Sequence, residues 1–535
     1  MTRLPSTTGS PHPSPRLARM SASRYDVVIV GGGHNGLTAA AYLSLAGKRV
    51  LVLERLEHVG GAAVSAQAFE GVDARLSRYS YLVSLLPKRV IHDLGLDIRL
   101  ERRRYSSYTP EPGSSRGLLV DNGDATATAA SFASIGATDD WTAWGDFYAG
   151  TAGLGRALFP GVTEPLLTRS EARRAVGDDA LWNDVIERPI GEAIEREFAN
   201  DLVRGVVLTD ALIGTFAPNL DASLDANRCF LYHVIGNETG DWDVPVGGMG
   251  AVTGELHRAA RAAGAEIRTG AEVTAITPDG EVTLTGGAVV HGEVVLANVA
   301  PWVLEELLGE GVAGPKPEGA QVKVNLLLSR LPRLRDESID PAAAFGGTFH
   351  INETWSQLDA AYDTAAAGGI PSPLPCEIYC HSLSDPSILS PDLQASGAHT
   401  LTVFGLHTPS RLVTPENNDA MRETLTAAII ASLDSVLAEP IERLLLTDAA
   451  GRPTIEAKTT LDLELALGMP GGNIFHGPLA WPFVEDDAPL ATAAERWGVA
   501  TAHPRILLCG SGAQRGGAVS GIGGHNAAMA VLEGA

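Results

Sequence analysis

The chain has 535 residues, 45% of them hydrophobic and 19% charged, with a formal net charge of −24. This is the composition of a globular protein with a sizeable core, long enough for two or three domains. The acidic balance argues against nucleic acid as a partner, because a phosphate backbone needs neutralising lysines and arginines.

Residues 1–23 are rich in Pro, Ser, Thr and Arg and contain no acid, so a disordered extension is expected. The same acid-poor composition fits a transit peptide, which would place the protein in the mitochondrial matrix, although its prolines interrupt any amphipathic helix. A start at Met20 is a third reading. No apolar run approaches the about 18 residues that span a bilayer. The expectation is a soluble, cytoplasmic protein with at most peripheral membrane contact.

Tyr25 to Gly61 reads as strand, turn, helix and strand. Asp26–Val30 is β-branched and apolar, a small-residue helical pattern runs from Asn35 to Ala46, and Lys48–Leu53 reads as the second strand. Gly31, Gly33 and Gly36 fill the G-x-G-x-x-G spacing, which serves a tight turn, close approach to a pyrophosphate and helix–strand packing. The helix start, with His34 and Asn35, offers free N–H groups and a positive dipole end to phosphates. Glu54 closes the second strand at about the 20-residue distance where a carboxylate accepts ribose hydroxyls, and an acid there favours a free 2′-OH. Arg55 followed by Gly60, Gly61 and Ala62 resembles the extended fingerprint of FAD-binding flavoproteins, so FAD is expected rather than NAD.

The chain leaves this unit through Phe69 to Asp73 and enters a helix around Ser84 to Leu94. The segment SRYSYLVSLL, then HDLGL and the run to YTPEP, resembles the phytoene desaturase and carotenoid ketolase group of flavoproteins. Within that group it is similar to the branch of pyridine nucleotide-disulfide oxidoreductase domain-containing protein 2. The resemblance spans residues 24–532. It implies an α/β fold in which a discontinuous Rossmann-type FAD-binding domain carries an α+β substrate domain of the amine oxidase and phytoene desaturase kind. Arg99, Arg102, Arg103 and Arg104 form a basic cluster, read as a solvated strand edge or, more sharply, as a site for an anionic lipid or substrate head group.

Residues 105–240 carry helical periodicity through Ser131–Leu158, Glu171–Val185 and Ile190–Ile213, read as a lobe lining a substrate cavity. Near Asp243 the chain returns to the nucleotide domain. VPVGGMG starts a helix from Met249 to Ala263, and its glycines are read as close packing rather than a second phosphate site. By the resemblance Val273 packs on the adenine. Val289–Asn298 is a further strand.

From Pro301 the strands Gln321–Ser329, Pro375–His381 and His399–His407 suggest an antiparallel sheet. Lys323 sits there among apolar neighbours. Lysines are rarely buried unless paired or functional, and the setting resembles the amine oxidase lysine that holds a water at flavin N5. The alternative is a lysine at a strand end reaching solvent. His350, His407 and His476 can exchange protons near neutral pH, but none has a partner at meaningful spacing, so each is read as structural or surface. LGMPGGNIFHGPL (467–479) resembles a glycine-rich turn of the same group and implies tight backbone near the flavin ring.

Ile506–Cys509 reads as a last buried strand and Ile522–Leu532 as a helix aimed back at the preceding glycines. The resemblance assigns FAD contacts here to Gly510, Ser511, Gly517, Val519, Ser520 and Gly521. Where the family reads His-Pro-Gly-Gly-Gly, this chain has Gln514, Arg515, Gly516, Gly517 and Ala518, so a histidine facing the substrate is replaced. The four cysteines, Cys229, Cys376, Cys380 and Cys509, contain no C-x-x-C and are expected as reduced core residues, neither zinc ligands nor a flavin-linked dithiol.

The expected organisation is an FAD-binding domain from 24–75, 241–300 and 481–535, a helical lobe at 76–240 and a substrate domain at 301–480. The expected activity is FAD-dependent oxidation or desaturation of a lipophilic, isoprenoid-type substrate, with oxygen or a quinone as acceptor and Lys323 as the catalytic candidate. No metal is expected. A flavin amine oxidase and an FAD-containing regulatory protein with little turnover are the alternatives, and a homo-oligomer is an open possibility.

Overall fold

β-branched residues ended abruptly by glycine set the first unit. In the computed structural model, which describes residues 23–534, Ser23–Val30 (β1) leads into the helix His34–Leu45 (α1) and then Val50–Leu53 (β2). The readings of the N-terminal extension and of Met20 lie outside the described residues. Pro87 caps the next helix and confines it to Lys88–Asp93. Tyr105–Pro110 (β3) and Gly117–Asp121 (β4) then pair antiparallel.

The lobe that follows contains Thr138–Leu158 (α2), Asp201–Thr209 (α3) and Asp225–Ile235 (α4). Its helices are shorter than the periodicity suggests. Gly136, at φ +75°, separates Ala125–Ser134 from α2, and Gly177, at φ +68°, ends Arg169–Val176. Asn200 caps α3 by accepting from the Leu202 and Val203 amides, which breaks the run from Ile190.

The return to the nucleotide domain brings Met249–Ala262 (α5), Glu266–Arg268 (β5), Val273–Ile276 (β6), Glu281–Leu284 (β7) and Val289–Ala297 (β8). The second domain adds Val322–Leu328 (β9), Thr348–Ile351 (β10), Cys376–Tyr379 (β11), His399–Gly405 (β12), Ile455–Lys458 (β13) and Thr460–Leu467 (α6). Ile506–Leu508 (β14) and Ile522–Glu533 (α7) close the chain.

The first sheet has the order β5-β2-β1-β8-β7-β6, with β14 beside β8. β5, β2, β1, β8 and β14 run parallel, and β7 and β6 are antiparallel additions. Side chains of β1 alternate between faces as a strand requires. Val27 and Ile29 pack with Leu37, Leu256 and Ala527 beneath the helices α1, α5 and α7, while Val28 and Val30 pack with Leu51, Val295 and Leu304 on the other face. α7 lies so close to α1 that a Cβ on Gly524 would come within 1.9 Å of the Asn35 carbonyl oxygen.

The second sheet has the order β13-β9-β12-β11-β10-β3-β4. Two expectations are corrected here. The sheet is not wholly antiparallel, because β10 pairs parallel with β3 through Thr348–Ser107 and Phe349–Tyr108. Its last two strands also come from residues assigned to the helical lobe. The cause is tertiary packing: Tyr108 is fully buried against Phe349, ring centres 5.5 Å apart, and its hydroxyl donates to Asp336 at 2.8 Å. Among the described residues no helix is long and apolar enough to cross a membrane.

Candidate active site

The site opens at the carboxyl ends of β1 and β8, where an open parallel sheet leaves a crevice. The Gly31 amide donates to the Leu53 carbonyl at 2.8 Å, and Asn298 Nδ2, just past β8, donates to the Gly31 carbonyl at 2.8 Å. Backbone packs tightly enough here that a Cβ on Gly31 would meet the Asn298 carbonyl oxygen at 2.5 Å, and one on Gly36 the Gly31 oxygen at 2.3 Å. Both positions need glycine. No side chain caps α1, so its first turn presents backbone N–H groups and the positive dipole end to the crevice.

A cavity of about 440 Å³ extends from this turn. Gly31, Gly33, His34, Asn35, Glu54, Arg55, Gly61, Ala62, Val273, Lys323, Ser511, Gly517 and Val519 line it, so most of the expected set converges. Gly36, Gly60, Gly510, Ser520 and Gly521 do not line it and act behind the wall. Gly60 donates to the Gly32 carbonyl at 2.9 Å, Ser520 Oγ accepts from the Ile522 amide at 3.2 Å, and Gly521 starts α7 at φ +71°. Gly510 sits where a Cβ would approach Asn298 Oδ1 at 3.2 Å.

The carboxylate of Glu54 is buried, and each oxygen already accepts a backbone amide, Gly32 N and Leu56 N, both at 2.8 Å. Carboxylate oxygens retain further acceptor sites, so a ribose hydroxyl fits without displacing either bond. Arg55 lines the cavity but donates to the Ala466 carbonyl at 2.9 Å, the last turn of α6, where a guanidinium complements the helix dipole. His34 Nε2 and Asn35 Oδ1 are buried without hydrogen-bond partners. These orphaned atoms, the glycine cradle and the open helix end together fit a dinucleotide.

Beyond the glycine turn the walls become apolar: Leu82, Leu85, Ile213, Tyr232, Phe404, Ile474, Phe475 and Leu479. Lys323, on β9, enters among them. It is 2% exposed, its ammonium donates to the Ser77 carbonyl at 2.9 Å, and it lies 5.3 Å from the Phe404 ring centre and 5.9 Å from that of Tyr81. Burial holds it down to about 7, against a smaller opposing pull from Glu456. The strand-end lysine reaching solvent is therefore excluded.

The histidines divide. His476, at φ +67° in the LGMPGGNIFHGPL turn, lines the cavity beside His34, and burial drives both imidazoles down to about 4, His476 adding to the effect on His34. His407 is buried elsewhere, edge-on to Phe216 and Tyr362. His350 is buried and bonded to Thr109 Oγ1 at 3.1 Å. None is a surface residue. The turn itself reaches the cavity wall through Gly468, Met469, Phe475 and His476.

The VPVGGMG glycines do not line the cavity. They pack α5 on Ser65, whose hydroxyl donates to the Gly247 carbonyl at 3.1 Å and accepts from the Gly250 amide at 2.9 Å. Gln514 and Arg515 also turn away. Gln514 Nε2 donates to the Phe483 carbonyl at 2.8 Å, and the buried Arg515 donates to the carbonyls of Gly161, Glu164 and Trp497. That pair is a structural clamp. All four cysteines are free and buried, and Cys229, alone among them in reaching the cavity, has its thiol pushed up to about 12 by burial.

The basic cluster is largely neutralised. Arg99 pairs with Glu101, Arg102 with Asp241 and Asp243, and Arg104 with Asp121, while Arg103 points inward. Asn298, Tyr81, Tyr232 and Phe404 escape sequence reasoning. Asn298 carried one usable signal, its place at the carboxyl end of a central strand.

Residues 29–90 match the family described as NAD(P)-binding Rossmann-like domain. The chain is 58% identical over 522 residues to an uncharacterized protein of Mycobacterium tuberculosis, covering 95% of this chain and 97% of that one. It is 30% identical over 566 residues to pyridine nucleotide-disulfide oxidoreductase domain-containing protein 2 of Rattus norvegicus, covering 95% and 93%. A solved structure of putrescine oxidase superposes with a TM-score of 0.56 at 17% identity, covering 96% of this chain and 99% of that one. At that identity the likeness establishes the fold.

Proposed function

The chain belongs to the family of pyridine nucleotide-disulfide oxidoreductase domain-containing protein 2, and from that premise we propose that it is an FAD-dependent oxidoreductase, an oxidase or desaturase acting on a lipophilic, isoprenoid-type substrate. The kinship with the phytoene desaturase and carotenoid ketolase group is part of this proposal. The observation that carries it is the continuity of one cavity from the glycine turn of β1–α1 to an apolar chamber holding a buried lysine.

Gly31, Gly33, the α1 start and Glu54 would hold the dinucleotide, with Val273 at its adenine end and Ser511, Gly517 and Val519 along the remainder. FAD held there would supply two-electron chemistry, with a substrate C–H bond as hydride donor and oxygen or a quinone as the final acceptor. The protein supplies position and electrostatics. Leu82, Leu85, Phe475 and Leu479 exclude water and receive an apolar body. Lys323 exchanges a proton at Nζ, since a group near 7 populates both forms at neutral pH. Cytoplasmic location and peripheral membrane contact belong to the same proposal.

An amine oxidase is the second reading, favoured by the same lysine lining the cavity. The test is the visible spectrum of the purified protein during anaerobic addition of carotenoid, lipid and amine pools. A flavin spectrum bleached by carotenoid or lipid supports the first reading, and one bleached by amine the second. Absence of flavin sinks both.

A further inference from the structure

Tyr81, Leu82, His233 and Trp242 line the dinucleotide cavity on one side and a second cavity, of about 280 Å³, on the other. β3, α3, β10 and β11 build its far walls with Arg103, Asp210, His350, Glu377 and Tyr379. Glu377 is 4% exposed: one carboxyl oxygen accepts from the Tyr379 hydroxyl, and the other has no partner. Asp210 lies deep in the chain yet keeps part of its surface open. Behind them Glu353, 1% exposed, accepts from Thr209 Oγ1 at 2.9 Å with one oxygen and leaves the other bare.

Three carboxyl groups thus share a desolvated space, and among the described residues none forms an ion pair with Arg or Lys. Arg103, the guanidinium that reaches in, donates to the Trp242 carbonyl at 3.0 Å and to Thr348 Oγ1 at 3.1 Å. Arg102 is held by Asp241 and Asp243. Burial therefore raises Asp210 to about 7 and Glu377 to about 8, and raises Glu353 as well. Tyr148, Tyr379 and Trp144 add aromatic surface, which attracts cations through its ring faces.

We propose that this second cavity is a binding site for an organic ammonium group. The unpartnered Glu377 oxygen supplies the acceptor, Asp210 adds a second carboxyl in the lining, and the aromatic walls receive the attached carbons. A carboxylate ligand would meet three acids against one guanidinium. No group of His, Cys, Asp and Glu among the described residues forms a metal-binding set, so a metal ion fits less well. The site stands whether or not the adjoining cavity oxidises its substrate as proposed above. At pH 7 an arriving ammonium takes the place of the proton that burial keeps on Glu377, so binding releases a proton. The groups facing Glu377 are Tyr379 on its own strand, His350 on β10, and Arg103, Asp210, Glu353 and Tyr81.

The test is calorimetric titration of the purified full chain at pH 7, in two buffers of different ionisation enthalpy, with n-butylamine hydrochloride, butyrate and butan-1-ol. The expected result is butylammonium binding with proton release and at least tenfold weaker binding of butyrate and butanol. Glu377→Gln should lower the butylammonium affinity at least tenfold. Asp210→Asn, expected to act in the same direction, serves if Glu377→Gln does not fold. The flavin spectrum recorded alongside separates a substrate head group, which bleaches it, from an effector, which does not, and either supports the site. No butylammonium binding, equal binding of butyrate, or unchanged affinity in a folded variant overturns it.

Discussion

Replacing Lys323 by methionine should make the protein more stable and less active. In the folded chain the ammonium falls from 10.5 to about 7 through burial. At about 1.36 kcal/mol per unit, that difference of about 3.5 units places about 5 kcal/mol against the charged form. Methionine keeps the volume and removes this penalty, but leaves the Ser77 carbonyl without its donor, a loss of about 1–3 kcal/mol. The net gain at pH 7 is about 2–4 kcal/mol. With about 2.1 cal/mol/K of unfolding entropy per residue over 535 residues, that corresponds to about 2–4 °C in Tm. The pH dependence gives a sharper signature. Between pH 7 and 10.5 the unfolded lysine binds more protons than the folded one, so wild-type stability rises across that window, by about 1.4 kcal/mol per pH unit at steepest. The variant lacks that contribution. Thermal melts from pH 6 to 10, with flavin content measured in parallel, read both quantities. A Lys323→Met protein that melts below wild type at pH 7, or that keeps the wild-type slope, refutes the assignment of a buried, proton-exchanging lysine.

Asn298→Ala removes the donor to the Gly31 carbonyl and should cost about 1–3 kcal/mol, with about tenfold weaker dinucleotide retention on dilution; unchanged flavin content and Tm would count against it. Arg515→Met strips the donors from the carbonyls of Gly161, Glu164 and Trp497 and should lower stability by about 3 kcal/mol, while the profile of substrates that bleach the flavin stays as in wild type. A changed profile would return that residue to the substrate wall. His34 and His476, held near 4 in the folded chain, bind fewer protons there than when unfolded between pH 6.5 and 4. Stability should therefore fall across that window by about 3 kcal/mol per histidine, and His476→Asn should shrink the loss; an acid limb of unchanged size in denaturant titrations would contradict this.

The nucleotide unit was legible because its constraints are local. Gly31 and Gly36 must lack a Cβ, Glu54 must follow a strand, and each condition falls within a few dozen residues. The lysine was legible as an anomaly, a charge in an apolar strand, although only packing shows that its neighbours are Tyr81 and Phe404. What the sequence hid is long-range. Tyr105–Pro110 falls in the stretch read as a helical lobe and is instead a strand, its Tyr108 buried by Phe349 and Asp336 more than two hundred residues later. Arg103 looks equivalent to its neighbours Arg102 and Arg104 until the fold turns it inward. Glu377 and Asp210 lie far apart in sequence and meet only through the second sheet and the lobe. Gln514 and Arg515 show the reverse error, since a departure from a family pattern suggested a change at the substrate when both side chains serve the scaffold.

The position of β14 has a consequence for biosynthesis. Val295–Ala297, the apolar end of β8, pairs with Ile506–Leu508 along the same edge that β7 covers at Val289–His291, beyond the residues β7 reaches. While the ribosome is still making the second domain, that edge is open, a template for pairing with other chains. The same late segment carries Ser511, Gly517 and Val519 of the cavity and the helix α7 that packs on α1. Closing the sheet and completing the cofactor cradle are thus one event, and it waits until the segment from β14 to α7 has been made. A nascent chain stalled before residue 506 would have neither, so cofactor capture requires a chain translated through β14.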